Sequence, residues 1–519
     1  MSGSLSRRLG SGLAAALAFV AAASVLVLEI AAGRLLAPYV GVSLTTYTGI
    51  IGVILGGIAF GAWAGGRAAD AYGPVPLLGP TFALGGLTAM AAVPIVDVAG
   101  TLGFGSGIGA IVLLSTVGFV LPAAMLSAVA PMVVRATIVN LATSGSLVGR
   151  LSAAGTVGAI SGTFLTGFVL LGAVPTRTII AATGVLMVLV GLALAVWARP
   201  RSRAATAGDD PQSGPGPGVT LAALLIGLLA VGGATVAAPQ PCERESAYFC
   251  IRVVTDTARP SGRTLVLDQL RHAYVDLDDP NHLEFGYIRW FDATVADHVE
   301  ERPAGFAALH VGGGGFSFPR HLATAYPGSR HVVLELDPVV FETAREELGL
   351  VTSTQLEVVL GDARLGILDQ PSDGFDVVMG DAFGSLSVPW HLTTDEFLAE
   401  IERVLRPDGR YVMNIIDGPG LAFVRAEART LAARFEHVLV LGRPGAFAGL
   451  DGGAGGGGNV VLVASHEPLD AAALEARLQQ SGDGVRIVGA GGATELEAFI
   501  GDAPFLRDDL APVDQLIGR

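Results

Sequence analysis

The first 238 residues consist largely of apolar stretches that are each about as long as a membrane-crossing helix. Seven such stretches occur, at Leu13–Ala32, Thr46–Ala64, Leu77–Val98, Ile108–Val134, Leu151–Ala173, Thr178–Trp197 and Val219–Ala237. Residues 1–198 are therefore predicted to form an α-helical transmembrane bundle of six spans, and residues 219–238 a seventh transmembrane helix. Residues 199–218, rich in Arg, Ser, Gly and Pro without periodicity, are predicted to be a flexible linker.

Beyond residue 238 the pattern changes to short apolar strands that alternate with helices. Residues 239–300 are predicted to be a small β-rich lead-in, with strands at Arg263–Asp268 and His272–Asp276. Within residues 301–519, further strands are predicted at Phe306–Val311, His331–Leu336, Leu356–Leu360, Phe375–Met379 and Arg410–Ile416. The alternation predicts an α/β Rossmann-like domain with a doubly wound parallel sheet, which binds ligands at the carboxyl ends of its strands.

Composition and charge narrow the class of protein. Hydrophobic residues make up 51% of the chain and charged residues 15%, which excludes a disordered chain and a single soluble domain. All 32 basic residues are Arg; residues 1–238 hold 10 of them with 5 acidic residues, and residues 239–519 hold 22 with 42 acidic residues. Nucleic acid is not an expected partner because no basic face is available. The expected partner of the first half is the lipid bilayer.

Arginine placement predicts how the spans are oriented, because short cytoplasmic loops carry an excess of basic residues. Arg67, Arg135 and Arg150 fall on one side of the membrane, together with the arginines at positions 7, 8, 199, 201 and 203. Arg34 and Arg177 fall on the other side. Seven spans then predict a multi-pass cell-membrane protein whose residues 239–519 are extracytoplasmic. A miscount by one span would reverse that side.

Small and charged residues inside the spans suggest how the helices pack and pair. Gly57, Gly61 and Gly65 recur every four residues in the second span, a spacing that lets helices approach closely, and we interpret them as a packing face. Glu29 is an acid inside the first span, and Arg34 follows five residues later. Structural pairing of these two residues and a substrate or proton role for Glu29 both stay open.

Cys242 and Cys250 are the two cysteines of the chain, and they lie just beyond the seventh apolar stretch. Outside the cytoplasm they would form a disulfide that closes a small loop, whereas in the cytoplasm they would be ordinary thiols. We favour the disulfide because it agrees with the arginine distribution. Two cysteines without a nearby histidine do not make a typical metal site, so no metal is expected.

Glycine and acidic residues follow the predicted strands of the second half. They are Gly312, Gly313 and Gly314 after the first strand, Glu335 at the end of the second, Asp362 and Ala363 after the third, and Asp381 after the fourth. Glycines allow a ligand to approach the backbone, and an acid at the end of the second strand accepts hydrogen bonds from ribose hydroxyls. Asp362 suits an adenine amino group, and Asp381 lies where a reacting group would be. Together they indicate a binding site for an adenosyl nucleoside.

Six segments within residues 264–407 resemble the spermidine synthase (polyamine aminopropyltransferase) family, whose core is a Rossmann-like methyltransferase fold. The segments are TLVLDQL, EFGYIRW, ALHVGGGG, VVLELD, VLGDAR and DVVMGDAF. Elsewhere, LEIAAGRLLAPYVG, GGRAADAYG and DDLAPVDQL are similar to segments of bacterial polytopic proteins in which such a domain is fused to membrane spans.

The resemblance implies a transferase that moves an aminopropyl group from decarboxylated S-adenosylmethionine to a small cationic polyamine. It implies that Asp381 is catalytic, Glu335 binds ribose and Asp362 lies beside adenine, while Tyr287 corresponds to a tyrosine near the diamine. The nucleoside, whether decarboxylated S-adenosylmethionine or S-adenosylmethionine, is a co-substrate, so no tightly bound cofactor is expected. Family members are commonly oligomeric, which makes a homo-oligomer an expectation.

Three positions depart from the family pattern. Gly315 and Gly384 stand where the family has aspartates, and Ile288 stands where it has a glutamine. Loss of these carboxylates removes charge from the cation-binding half of the site unless other acids replace them. Four acids could do so: Asp276, Asp278, Asp279 and Glu284. Two alternatives therefore stay open: another S-adenosyl-dependent transferase, such as a methyltransferase, and a non-catalytic or transport-linked membrane protein with a degenerate synthase domain.

Overall fold

The computed structural model describes residues 9–105, 107–138, 144–198, 217–300, 305–385, 387–450, 456–480, 482 and 484–517, without the side chains of residues 217–225 and 480. The chain divides into two compact units, Met1–Cys250 and Ile251–Arg519. The predicted linker at 199–218 lies outside the described residues except for its last two positions.

Six helices of the first unit are long and apolar enough to cross a membrane. They are α1 (Ser11–Val40), α2 (Leu44–Tyr72), α3 (Pro74–Gly100), α4 (Ile108–Thr137), α5 (Ser144–Ala173) and α6 (Thr176–Trp197). At 22 to 30 residues each, they rise about 33–45 Å, which exceeds the roughly 30 Å of a bilayer's hydrocarbon core. Large apolar side chains such as Phe60 and Phe168 are exposed, as expected of a surface that faces lipid.

The number of spans differs from the expected seven. Helix α7 (Pro217–Ala237) occupies the seventh predicted stretch, but its side chains are described only from Ile226 onward. Only Ile226–Ala237 of this helix has described side chains, and that part alone, which rises about 18 Å, is too short to cross a bilayer. Within the described residues the count is therefore six and not the expected seven.

Glycines bring α2 and α4 into close contact. A Cβ added at Gly57, Gly61 or Gly65 would lie within 3 Å of backbone atoms of α4. At Gly56 the same addition would meet nothing within 4 Å. The three glycines spaced four apart thus form a helix-packing face, as their spacing predicted, while the neighbouring glycine faces away from it.

Arg34 does not pair with Glu29. Its guanidinium donates hydrogen bonds to the carbonyl oxygens of Ser246, at 3.0 Å, and of Tyr248. Residues five apart on a helix are separated by about 140° around its axis, so these two side chains lie on different faces. The hypothesis that Glu29 pairs with Arg34 was therefore wrong.

A disulfide between Cys242 and Cys250 closes a loop that belongs to the first unit. Besides the bonds from Arg34, the loop segment receives a hydrogen bond from Arg177, which donates to the carbonyl oxygen of Pro239 at 2.9 Å. Arg177 lies in the first turn of α6, and Arg34 lies near the end of α1. The disulfide-closed loop is therefore held at the end of the bundle where α1 ends and α6 begins.

The second unit opens with a small antiparallel sheet of β2 (Cys250–Thr255), β3 (Gly262–Leu267) and β4 (Leu270–Asp276). The two-residue strand β1 (Arg244–Glu245) precedes it in the first unit. Helix α8 (Gly286–Val299) follows, inside the interval expected to be β-rich. Its apolar face, which includes Ile288 and Phe291, is buried.

Eight further strands form the main sheet, in the order β12-β10-β11-β9-β8-β5-β6-β7. The strands are β5 (Ala307–Val311), β6 (Arg330–Glu335), β7 (Leu356–Leu360), β8 (Phe375–Gly380), β9 (Leu405–Asp417), β10 (His437–Gly442), β11 (Gly458–Ser465) and β12 (Arg486–Val488). The helices are α9 (Ser317–Ala325), α10 (Pro338–Glu347), α11 (Ala363–Gly366), α12 (Asp395–Val404), α13 (Ala422–Ala432), α14 (Ala471–Gln480), α15 (Ala493–Ile500) and α16 (Val513–Ile517).

The main sheet is parallel in one part and antiparallel in the other. Strands β5 to β9 run parallel, as predicted, whereas β10, β11 and β12 join by antiparallel pairing. Strand order reverses at β5, which lies between β6 and β8. A reversal of this kind opens a crevice at the carboxyl ends of the strands, where ligands of open α/β sheets bind.

We expect Gly61→Val to destabilise the membrane unit by about 1–3 kcal/mol, because the new side chain would overlap α4. An added Cβ would lie only 2.1 Å from the Ala124 carbonyl oxygen. Thermal unfolding of the full chain in detergent, followed by size-exclusion chromatography, measures the effect. The matched control Gly56→Val makes the same change in helix propensity, but its new side chain would meet nothing within 4 Å. It should therefore leave the midpoint unchanged. Equal effects of the two substitutions would contradict the packing assignment.

Candidate active site

A glycine loop connects the end of β5 to α9. Gly312 has a φ of +97° and Gly314 a φ of +51°, both in the left-handed region that favours glycine. A Cβ on Gly312 would lie 2.5 Å from the carbonyl oxygen of Asp381. The absence of a side chain therefore allows the loop to pass directly beside the end of β8.

The Glu335 carboxylate, at the end of β6, holds this loop. Its Oε2 accepts hydrogen bonds from the amides of Gly313, at 2.9 Å, and Gly314, at 3.0 Å. Its Oε1 accepts one from the amide of Asp337 at 2.8 Å. Burial raises the pKa of Glu335, and these three bonds oppose the rise. Since a carboxylate offers about four acceptor positions, one stays available to a ligand hydroxyl.

Asp362 and Ala363 lie at the next strand end, after β7. Asp362 caps α11 by accepting a hydrogen bond from the Arg364 amide at 2.7 Å, and its second oxygen lies 3.3 Å from His391 Nε2. Ala363 is buried at the first position of that helix. The Gly361 amide donates to the Glu335 carbonyl oxygen at 2.9 Å, which joins this strand end to the preceding one.

Asp381 follows β8 and lies between the glycine loop and α8. Its amide donates to the Val311 carbonyl oxygen at 2.9 Å, which fixes its backbone beside β5. Its Oδ2 accepts a hydrogen bond from the Tyr287 hydroxyl at 3.1 Å, and its Oδ1 accepts one from Asn414 Nδ2 at 2.9 Å. The amide of Asn459 in turn donates to Asn414 Oδ1 at 3.1 Å. Both carboxylate oxygens are therefore held in place by neutral donors.

The electrostatics of this carboxylate are unusual for an aspartate. Burial raises the pKa of Asp381 to about 6, and the hydrogen bonds from Asn414 and Tyr287 limit that rise. Burial and the neighbouring Asp381 charge raise the pKa of Tyr287 well above its ordinary value, so its hydroxyl stays protonated. Near neutral pH, Asp381 is thus ionised yet able to accept a proton, which is the property of a general base.

A cavity of about 490 Å³ opens next to these residues. Tyr287 and Asn414, the two hydrogen-bond partners of Asp381, both lie on its wall, as do Phe383 and Ser385. The carboxylate therefore lies one side chain away from the cavity and directly beside the glycine loop. This arrangement is suited to bringing a ligand at the loop and a second molecule in the cavity to one acidic group.

Two asparagines at this site were not anticipated from the sequence. Asn414 is 1% exposed and Asn459 lies on the neighbouring strand, so both belong to otherwise apolar segments of β9 and β11. A polar side chain inside the run YVMNII was the available signal, because a buried amide requires hydrogen-bond partners. Within the described residues, no group of three or more His, Cys, Asp or Glu could hold a metal ion.

The structure also shows what surrounds the two glycines that replace family aspartates. A Cβ on Gly315 would lie 2.5 Å from Ala273 Cβ, so β4 occupies the space that a side chain would need. At Gly384 the nearest atom would be the Ser387 carbonyl oxygen at 3.9 Å, which leaves room for one. Of the four acids considered as replacements, Glu284 lines the cavity.

Comparison with known proteins agrees with this geometry. A family model described as a methyltransferase domain matches residues 309–413, from β5 into β9. A polyamine aminopropyltransferase of Vibrio vulnificus is 38% identical over 108 residues, which cover 20% of this chain and 36% of that protein. An eEF1A lysine and N-terminal methyltransferase of Danio rerio is 30% identical over 129 residues, which cover 23% of this chain and 19% of that protein.

A solved structure described as a probable spermidine synthase from Corynebacterium glutamicum is 25% identical, with a TM-score of 0.47, and covers 51% of this chain and 95% of its own. The sequence match to the polyamine aminopropyltransferase supports a similarity to the spermidine synthase family. Over these residues the second unit is similar to polyamine aminopropyltransferases and to methyltransferases, which are transferases, and we call it the spermidine synthase-like domain after the first of these. The chain spans about a third or less of the length of the two curated relatives named above.

We expect Gly312→Ala to lower the unfolding midpoint of the spermidine synthase-like domain by about 4 °C or more, because alanine is strained at positive φ and would displace the end of β8. Differential scanning calorimetry of the full chain measures this change. Gly384→Ala is the matched control, since its Cβ would meet nothing closer than 3.9 Å. A midpoint in Gly312→Ala equal to that of the control would contradict the described approach of the loop to Asp381.

Proposed function

We propose that the spermidine synthase-like domain transfers an aminopropyl group from decarboxylated S-adenosylmethionine to a small amine. The observation that supports this proposal most directly is the position of Asp381, beside Gly312 on one side and joined to the cavity wall through Tyr287 and Asn414 on the other. A donor bound at the glycine loop and an acceptor bound in the cavity would meet at this carboxylate.

The reaction joins the acceptor nitrogen to the donor carbon beside the sulfonium. The nitrogen lone pair forms the C–N bond as the C–S bond breaks, and the electron pair of the broken bond stays on sulfur in the neutral thioether methylthioadenosine. The amine releases a proton during this step, and the ionised Asp381 carboxylate is the group that accepts it. Holding both reactants in one crevice contributes further, because it removes the entropic cost of bringing them together.

Two neighbours stabilise the ionised form of Asp381. The Tyr287 hydroxyl and the Asn414 amide each donate to one carboxylate oxygen, and neither donor carries a charge that would repel a cationic amine. Glu335, which binds the loop amides, has one acceptor position for a ribose hydroxyl of the donor. Asp362 lies at the next strand end, on the side proposed for adenine.

The test is a product assay on the full chain in detergent. Decarboxylated S-adenosylmethionine is offered with putrescine, cadaverine or spermidine, and mass spectrometry detects the aminopropylated amine and methylthioadenosine. We expect Asp381→Asn to lower the rate by about 10²- to 10⁴-fold, because an amide of the same shape cannot accept the proton. Asp369→Asn removes an exposed acid outside the site and serves as the control. Absence of product from folded wild-type protein with every small amine, including amines that carry a carboxylate or phosphate group, or an active Asp381→Asn variant, would contradict the proposal.

The rate should depend on pH through Asp381. Since its pKa is raised to about 6, the ionised fraction and the rate fall as the pH drops below about 6. Asn414→Ala removes a hydrogen bond that lowers this pKa, so the acidic limb of the profile should move about 0.5–1 unit to higher pH. Rate profiles of both proteins between about pH 5 and 9 provide the measurement. Coincident acidic limbs would show that another group controls the rate.

A second candidate reaction is methyl transfer from S-adenosylmethionine. The observation in its favour is Gly315, where the family aspartate that holds the donor's amine is missing and Ala273 fills the space. The methyltransferase-domain match over residues 309–413 is compatible with either donor. Replacing the decarboxylated donor by S-adenosylmethionine in the same assay decides between them, because methyl transfer yields a methylated acceptor and S-adenosylhomocysteine.

We further propose that the spermidine synthase-like domain lies outside the cytoplasm. Arg135 pairs with Asp70 at 3.1 Å at the bundle end where α2 and α4 finish, and Arg150 lies in the second turn of α5, near that same end. The disulfide-closed loop is held at the opposite end by Arg34 and Arg177. By the positive-inside rule the arginine-rich end is cytoplasmic, and a disulfide suits the other compartment. Since α6 begins at the end of the bundle that holds the loop and finishes at the other end, this assignment also requires α7 (Pro217–Ala237) to cross the membrane.

Labelling of intact cells tests this side of the membrane. In a Cys242→Ser, Cys250→Ser background, a membrane-impermeant maleimide is added to cells that carry Val351→Cys or Asp70→Cys. Both positions are exposed, but they lie in the second unit and at the arginine-rich end of the bundle, respectively. We expect labelling of Val351→Cys alone. Labelling of Asp70→Cys alone would place the domain in the cytoplasm, where adenosyl donors are made.

A further inference from the structure

Two arginines lie on the wall of the cavity next to Asp381. Arg271, on β4, stacks on the Phe285 ring with its guanidinium carbon 5.4 Å from the ring centroid. Arg443 follows β10, and its Nη2 lies 3.4 Å from where a Cβ on Gly286 would be. Among the described residues, no ion pair or hydrogen bond engages either guanidinium. Both positive charges are therefore available to a molecule in the cavity.

The acidic side chains near this cavity do not offset those charges. Glu284 is the carboxylate on the described wall, and it lies 3.1 Å from His282 Nε2. Asp276 pairs with Arg259 at 2.8 Å and accepts hydrogen bonds from two backbone amides, so it serves the turn after β4. His272 also lines the cavity, and burial lowers its pKa to about 4, which keeps it neutral.

The cavity wall itself is thus more positive than the second half as a whole, with the Asp381 carboxylate one side chain behind it. Residues 239–519 carry 22 Arg against 42 acidic residues, yet the described cavity wall carries two guanidinium groups and one carboxylate. A diamine with positive charge at both ends would be repelled by such a wall. An oxyanion would be attracted, because guanidinium groups bind carboxylate and phosphate groups with strong charge-assisted hydrogen bonds.

We propose that the acceptor of this domain is an amine that also carries an oxyanion, bound through Arg271 and Arg443 with its amino group directed to Asp381. The inference rests on the proposed transfer function and names its acceptor class. The bonds made and broken are those of the transfer step above, and the oxyanion takes no part in them. Arg271 and Arg443 are accordingly specificity-determining residues, whereas Asp381 is the catalytic one.

Matched acceptor pairs test the inference with the full chain in detergent. Ornithine is putrescine with one added carboxylate, and O-phosphoethanolamine is ethanolamine with one added phosphate. Each pair is compared for kcat/KM in the product assay and for Kd by calorimetry in the presence of methylthioadenosine. We expect the oxyanion-bearing member of at least one pair to be preferred about tenfold or more. The pair that shows the preference identifies the oxyanion.

Substitutions of the two arginines test whether they cause this preference. Arg271→Gln and Arg443→Gln should each weaken binding of the preferred oxyanion-bearing amine about tenfold or more, and should improve binding of putrescine because a repelling charge is removed. Arg345→Gln is the matched control, since Arg345 is an exposed arginine that stacks on Phe341 at 5.7 Å outside the cavity. All three side chains are exposed, so we expect each variant to fold. The unfolding midpoint of each variant checks this.

Two results would overturn the inference. One is a preference for putrescine over ornithine together with a preference for ethanolamine over its phosphate ester. The other is binding of the oxyanion-bearing amine that neither cavity variant weakens. Absence of transfer to every amine would instead contradict the proposed function, and the calorimetric comparison would then still decide whether the cavity selects an oxyanion.

Discussion

A partly dehydrated carboxylate at the end of β8 is the constraint on which the arrangement of the second unit depends. Burial raises the pKa of Asp381 to about 6, and two neutral donors, Tyr287 and Asn414, hold its oxygens. These donors come from α8 and β9, so the helix that follows the small sheet and the strand beside β8 must both lie close to it. The cavity is bounded by the same two side chains. The proposed proton transfer and the proposed acceptor binding therefore depend on one set of contacts.

The glycine loop contacts Asp381 on the side opposite to Tyr287 and Asn414. Gly312 has no side chain and so passes the Asp381 carbonyl oxygen closely, and Glu335 holds the next two amides. One buried acid therefore shapes the loop, while another lies at the proposed reacting position. Binding a nucleoside ribose would add a ligand contact to Glu335 without requiring it to release the loop, since an acceptor position is available.

The sequence was enough to locate residues that directly follow a strand. It was not enough to predict contacts that depend on how distant segments pack together. Glycines and acids directly after apolar strands identified the loop, Glu335 and Asp381, because parallel strands place their carboxyl ends at one edge. The partner Asn414 lies 33 positions further along and became visible only when β9 paired with β8. The approach of Ala273 to Gly315 likewise depends on tertiary packing. Arg34 has a backbone partner more than 200 residues away, which helix spacing alone could not indicate.

The most direct test of the central claim is an experimental structure of the full chain with methylthioadenosine bound. The account predicts the nucleoside at the glycine loop, its ribose hydroxyls on Glu335, its adenine beside Asp362, and its sulfur facing Asp381 and the cavity. A nucleoside bound elsewhere, or one at the loop whose sulfur faces away from Asp381, would contradict the assignment of this carboxylate as the catalytic base.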